Sequence, residues 1–167
     1  MTHLGNIDDV SAFMFAKKGN MKTPKMLPFD GGAELATQLV AGAVQAGVLN
    51  LAEASAQIEA GEICPTVVLA DQRVAKILDV PTAKELGIPV SFSTMRGFAV
   101  HADIPPQIAA KIEDALLKAM RHSIFQGFLQ SAGLDGSSVA GSDVWGPQIK
   151  TTVTEMKAAL KELGFIQ

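Results

Sequence analysis

The stretch from residue 26 to residue 61 constrains the fold of this chain more than any other part. It contains two short apolar segments, residues 26–29 and 47–49, and a turn and an amphipathic run follow each of them. Short apolar segments bounded by turn residues are typical of strands, and apolar residues three and four apart are typical of helices. The stretch therefore predicts strand, turn and helix, twice in succession.

The two turns in this stretch suggest a binding edge. Gly31 and Gly32 precede the first helix, and Asn50 precedes the second, with Glu53 at the spacing of a capping box. Helices that follow neighbouring strands begin at one edge of a sheet, and helix N-termini present unpaired N–H groups that favour anions. The alternative is that these glycine turns only connect strand to helix.

Composition and charge exclude several classes of protein. The 167 residues are 48% hydrophobic and 19% charged, which is enough to build a core and argues against disorder. The net charge of −3 provides no basic surface for nucleic acid, so we expect no nucleic-acid partner.

Few side chains are suited to metal binding or catalysis. Cys64 is the single cysteine, and the three histidines are too scattered for a metal site, so we expect no metal and no cofactor. Nucleotide-binding and nucleophile-elbow motifs are absent from the sequence. The carboxylates of Asp8, Asp9 and Asp30 are the one set that could bind a cation or act as acid and base.

The sequence contains no apolar run near the ~20 residues of a membrane span. Residues 1–6 have neither a basic start nor an apolar signal core. We therefore expect a cytoplasmic protein if the chain is expressed as given.

The rest of the chain divides near residue 100. Further strands are predicted at residues 66–70, 89–92 and 97–100, and the first of them is apolar throughout, as in a strand buried on both faces of a parallel or mixed sheet. Beyond them, amphipathic periodicity and caps predict three helices: a long one that begins at Pro105 and Pro106, a shorter one through residues 124–129 that ends at Gly133, and a last one capped by Ser142.

Five segments together resemble one protein family. They are residues 28–34 (PFDGGAE), 50–53 (NLAE) together with 59–61 (EAG), 79–87 (DVPTAKELG), 95–97 (MRG) and 160–164 (LKELG). In this order they resemble the extracytoplasmic solute-binding proteins of tripartite tricarboxylate transporters, the Bug-type receptors.

This resemblance implies a fold and a division into domains. It implies an α/β, periplasmic-binding-protein-like (type II) mixed-sheet domain, truncated, with a helical C-terminal tail. Residues 1–98 would form the lobe that resembles the family's second domain. Residues 99–167 would contain a crossover strand and the C-terminal helices that pack, in the family, on a first domain without counterpart here.

The resemblance also implies a set of ligand contacts. The backbone amides of two turns would hold a carboxylate, and polar side chains would complete the site, with Asp8 as a hydrogen-bond acceptor or amine partner. The set is Gly5, Asn6, Asp8, Asp30, Gly31, Gly32, Asn50 and Arg96. Each also has a structural reading, because Asp8 and Asn50 are good helix caps without any ligand.

The functional reading is a non-enzymatic solute-binding protein related to carboxylate receptors, with an incomplete ligand cleft. Its expected ligand is a small carboxylate or an amino-acid-like molecule. A homodimer would cover the exposed tail helices, and the resemblance implies membrane transporter subunits as partners and a periplasmic location. The alternatives are a structural protein that has lost transport and only oligomerises, and an enzyme that uses the acidic residues.

Overall fold

The computed structural model describes residues 7–166, and six α-helices account for most of the regular structure there. They are α1 (Ile7–Lys18), α2 (Gly32–Val40), α3 (Leu51–Glu59), α4 (Pro106–Met120), α5 (Ser123–Ser131) and α6 (Ser142–Glu162). Short 3₁₀ helices occupy Ala75–Ile77 and Gly136–Ser138.

The helix boundaries follow the signals in the sequence. Asn50 is the N-cap of α3. Pro106 occupies the first position of α4, where the N–H group that proline lacks would have no partner within the helix. α1 ends before Asn20, which has a φ of 53°, and α3 ends before Gly61, with a φ of 74°. Local chemistry is enough to set these ends, because each involves only adjacent residues.

The predicted mixed sheet is not confirmed, because residues 7–166 contain no assigned strand. Each of the predicted strands is irregular instead: residues 26–29, 47–49, 66–70, 89–92 and 97–100. A strand exists only where a neighbouring segment completes its hydrogen bonds, and an apolar run does not specify that neighbour. The strand predictions were therefore wrong for the described part of the chain, although α2 and α3, which lie between the first three of these segments, form as predicted.

One trace of parallel pairing remains around residues 66–70. Val68 forms an isolated parallel bridge with Thr82. The Val68 amide donates to the Pro81 carbonyl at 2.9 Å, and the Ala83 amide donates to the Val68 carbonyl at 2.9 Å. Leu69 is the next residue of the run, and its carbonyl accepts from the Phe92 amide at 2.7 Å. This apolar run thus contacts two extended neighbours without becoming a strand.

The chain divides into two compact units, and the first contains residues 7–93 and 155–166 among those described. Its core is a cluster of small and medium apolar side chains: Val10, Met14, Ala83, Val90 and Ala159. Phe13 and Phe165 add a tilted ring pair with centroids 5.7 Å apart. α1 is therefore held by apolar contacts along much of its length.

The second unit, residues 94–154, is organised around α4 and α5. Glu113 on α4 accepts from the Ser142 amide at 2.6 Å and from the Ser142 hydroxyl at 3.0 Å, which caps the start of α6. A Cβ on Gly97 would overlap the Trp145 ring, so the backbone and the indole are in close contact. The predicted division at residue 98 stays a prediction.

Candidate functional site

The candidate site lies in the first unit, where α2 and α3 begin. Glu53, in the first turn of α3, accepts through one carboxylate oxygen from the Asn50 amide at 2.8 Å and from the Asn50 side chain at 3.2 Å. The same carboxylate lies against Gly32, at the position that a Cβ on that glycine would occupy. Glu53 thus joins the starts of the two helices, which pack against each other.

The start of α2 has no side-chain cap. Gly31 is its N-cap residue and forms no side-chain hydrogen bond. One residue earlier, the Asp30 amide donates to the Glu34 carboxylate at 2.8 Å. The first N–H groups of an α-helix have no partner within the helix, so those of α2 suit an anionic acceptor.

Asp8 is the third member of this group. It lies in the first turn of α1 and is half-buried. Burial raises the pKa of the Asp8 carboxyl above its ordinary value of 3.8, and the charges of Glu53 and Asp9 raise it further. The charge of Glu53 thus acts on Asp8 as well as lying at the starts of α2 and α3.

The structure brings part of the predicted set together. Gly32 and Asn50 contact Glu53, and Gly31 and Asp30 directly precede Gly32 in the chain. The charge of Glu53 also raises the pKa of the Asp8 carboxyl.

Gly5, Asn6 and Arg96 complete the predicted set. Gly5 and Asn6 lie outside the described residues. Arg96 is exposed and belongs to the second unit. The role of each of these residues as a ligand contact stays a prediction.

Glu53 is the residue that the predicted set missed. Its position three residues after Asn50 identified it as a capping residue, and the structure confirms that its carboxylate accepts from the Asn50 backbone. Glu53 and Gly32 are 21 positions apart in the sequence, and no local sequence pattern predicts their contact.

Other kinds of site find no support in the part of the chain that the structure covers. Within residues 7–166, no three His, Cys, Asp or Glu side chains are grouped so that they could hold a metal ion. The helices of the same range include none with the length and apolar character needed to cross a membrane.

The family model for the tripartite tricarboxylate transporter family receptor (TctC) matches residues 10–165, which is nearly the whole chain. The chain belongs to this receptor family. The resemblance found in the sequence motifs is therefore confirmed, and TctC proteins are solute-binding receptors rather than enzymes.

Similar proteins extend beyond this chain. The "UPF0065 protein in gbd 5′ region" of Cupriavidus necator is 26% identical over 138 residues, which are 83% of this chain and 42% of that protein. A TctC solute-binding protein from Polaromonas, solved without ligand, is 25% identical, with a TM-score of 0.77 over 96% of this chain and 55% of its own.

A second solved structure supports the fold alone. R. palustris Rpa4515 with adipate has a TM-score of 0.83 at 19% identity, over 98% of this chain and 55% of that protein. The chain thus spans about half the length of the relatives that it matches, and within that half its backbone follows the periplasmic-binding fold of TctC receptors.

Proposed function

We propose that this chain supplies one ligand-binding lobe of a TctC-type receptor. It would hold a small carboxylate or amino-acid-like ligand where α2 and α3 begin. The observation that carries the proposal is the Glu53 contact, which joins Gly32 and Asn50 although they are far apart in sequence. Family membership supports solute binding, and the local geometry supports this corner as its place.

The chemistry of the corner suits a ligand with one carboxylate. The N–H groups at the start of α2 have no side-chain cap, so a carboxylate can accept from them. Asn50 offers an amide side chain at the edge of the same corner, and Asp8 offers an acceptor for an amine or hydroxyl group. We propose Gly5, Asn6, Asp30, Gly31 and Arg96 as further contacts from the family resemblance.

Affinity of the chain alone would be weak. Ligand pockets enclose most of the surface of a small ligand, and this chain spans about half of its relatives' length. We therefore expect dissociation constants of about a millimolar, roughly −4 kcal/mol, for this lobe by itself.

The partners and location follow from the family. We propose that the receptor works in the periplasm with the membrane subunits of a tripartite transporter. We also propose a homodimer, because α5 exposes Ile124 (79%) and Phe128 (62%). Sedimentation at micromolar concentration tests the dimer, and a stable monomer would contradict it.

Calorimetry with a panel of dicarboxylates, aromatic acids and amino acids tests the binding site. Adipate is included because a structural neighbour is described with it. We expect binding heat that Asn50→Ala reduces by about tenfold in affinity and that Gln38→Ala, on α2, leaves unchanged.

Absence of heat across the whole panel would contradict the proposed binding function. Metal analysis of the purified protein addresses the enzyme alternative, since stoichiometric metal would contradict a non-enzymatic receptor.

A further inference from the structure

The Glu53 carboxylate has more neighbours than a helix-capping role requires. A capping box needs only the contact with its own N-cap residue, here the Asn50 amide at 2.8 Å. Glu53 also accepts from the Asn50 side chain at 3.2 Å and fills the space beside Gly32 on another helix. One side chain thus contacts the starts of both α2 and α3.

The Glu53 carboxylate, which lies against Gly32, brings a negative charge to this corner, and that charge helps to raise the pKa of the Asp8 carboxyl. Both groups are partly shielded from water, Asp8 being half-buried and Glu53 of intermediate exposure, so the charges act on each other with limited screening. A fully ionised dicarboxylate that enters this corner meets two negative groups, whereas an ammonium group there would be attracted by both.

We propose that Glu53 is a positioning residue that also sets specificity. It holds the starts of α2 and α3 together, and its charge makes the corner favour a zwitterionic, amino-acid-like ligand over a dicarboxylate of equal length. The specificity part rests on the proposed function, but the positioning part does not.

The specificity part is tested with adipate and 6-aminohexanoate, two ligands of equal chain length that differ in charge at one end. Wild-type protein should bind 6-aminohexanoate more tightly. Glu53→Gln keeps an oxygen acceptor and removes the charge, so it should shift the affinity ratio toward adipate by about threefold to tenfold. Glu59→Gln, at the far end of α3, makes the same charge change and should leave the ratio unchanged.

Thermal unfolding separates specificity from a purely structural role. The melting temperature of Glu53→Gln should stay within about 2 °C of wild type while the affinity ratio shifts. An unchanged ratio in Glu53→Gln, or tighter binding of adipate by wild type, would overturn the specificity part. If neither ligand binds wild type, the proposed function fails and the specificity part fails with it.

The positioning part is tested without any ligand, by amide hydrogen exchange. In Glu53→Ala the Asn50 amide loses its acceptor and should exchange about fivefold or more faster, and in Glu53→Gln it should stay protected. Gly32→Ala should reproduce Glu53→Ala, since its Cβ would displace the carboxylate.

Gly31→Ala is the matched structural control for that substitution. A Cβ there meets no atom within 4 Å, and the extended backbone accepts any residue, so Asn50 exchange should not change. Equal Asn50 exchange in wild type, Glu53→Ala and Gly32→Ala would overturn the positioning part.

Discussion

Gly97 and Trp145 are in close contact within the second unit. A Cβ on Gly97 would overlap the indole ring, so any side chain at this position must move the ring or the backbone. The loss of stability on adding a side chain at such a site depends on how far the neighbouring group can move, and a large aromatic ring in a packed position can move little. This residue therefore reports on whether the second unit is packed as described.

We predict that Gly97→Ala destabilises the second unit by about 1–3 kcal/mol, because the added methyl displaces Trp145. Trp145 is the only tryptophan of the chain, so the shift of its fluorescence emission measures the displacement directly. Gly127→Ala is the control, since a Cβ there has nothing within 4 Å and lies within a helix. It should be neutral or slightly stabilising, and equal effects of the two substitutions would contradict the contact.

The raised pKa of Asp8 predicts that this side chain lowers the stability of the fold by an amount that depends on pH. Burial and the charges of Glu53 and Asp9 raise the pKa in the folded state, so the native carboxyl binds its proton more tightly than the unfolded one. Ionised Asp8 therefore lowers stability above its folded pKa, and this loss is relieved as the pH falls toward 3.8, the ordinary value. Asp8→Asn should be more stable than wild type at about pH 7, and the difference should vanish near about pH 3.5.

Urea denaturation of both proteins across this pH range measures the difference. Asp103→Asn serves as the control, because the Asp103 side chain is 91% exposed. The opposite result, wild type more stable than Asp8→Asn at neutral pH, would contradict this prediction. It would show that the favourable interaction of ionised Asp8 with the start of α1 exceeds the cost of burying its charge.

Among the elements, the turn at residues 82–87 shows how polar contacts substitute for a strand. Glu85 accepts from the Thr82 amide at 2.7 Å and from the Arg73 side chain at 3.0 Å, and Arg73 also donates to the Leu78 carbonyl at 2.8 Å. Thr82 is almost fully buried and bridges Val68. These contacts hold the turn against the apolar run at residues 66–70.

The lowered pKa of Glu85 predicts that the protein loses stability in acid. The Arg73 hydrogen bond, followed by the Thr82 amide, lowers the pKa of the Glu85 carboxyl from 4.5 to about 2. Its contribution is present above pH 4.5 and is lost as the pH falls through about 2. Glu85→Gln should therefore lower the urea midpoint at about pH 7 and match wild type below about pH 2, whereas exposed Glu62→Gln should change neither. A Glu85→Gln protein as stable as wild type at neutral pH would contradict this role.

For the whole molecule, the two units differ in how much apolar surface they bury. The fully or nearly buried apolar residues of the first unit include Val10, Leu35 and Ala83, whereas in the described second unit Leu129 alone reaches that class. Large side chains of the second unit are widely exposed: Phe98, Val100, Ile108, Ile124, Phe128, Leu134, Val144, Ile149 and Val153. Local stability follows buried apolar contact, so the units should open at different free energies.

We predict that amide hydrogen exchange is slower in α1, which buries Val10, Met14 and Ala16, than in α4 and α5. α4 contains no buried residue and α5 buries only Leu129, so little apolar contact opposes their local opening. Exchange followed by mass spectrometry measures this at peptide resolution. Equal protection of α1 and α4 would mean that a second copy or another partner covers the second unit in solution.

Sequence reasoning succeeded where adjacent residues decide the structure. Asn50, Pro106 and Gly61 set helix ends through contacts within one turn, and the family motifs led to the correct receptor family. It failed for the strands, since the partner of residues 66–70 is supplied by Thr82 and Phe92, which no local pattern identifies.

By itself, the sequence determined the helices, their caps and the family. These depend on periodicity and on hydrogen bonds between neighbours in the chain. Only the tertiary structure decided which apolar runs pair and that Glu53 joins Gly32 to Asn50 beside Asp8. The physical reason is that contacts between distant segments depend on the packing of the whole unit. Sequence periodicity does not show which of these segments will pair.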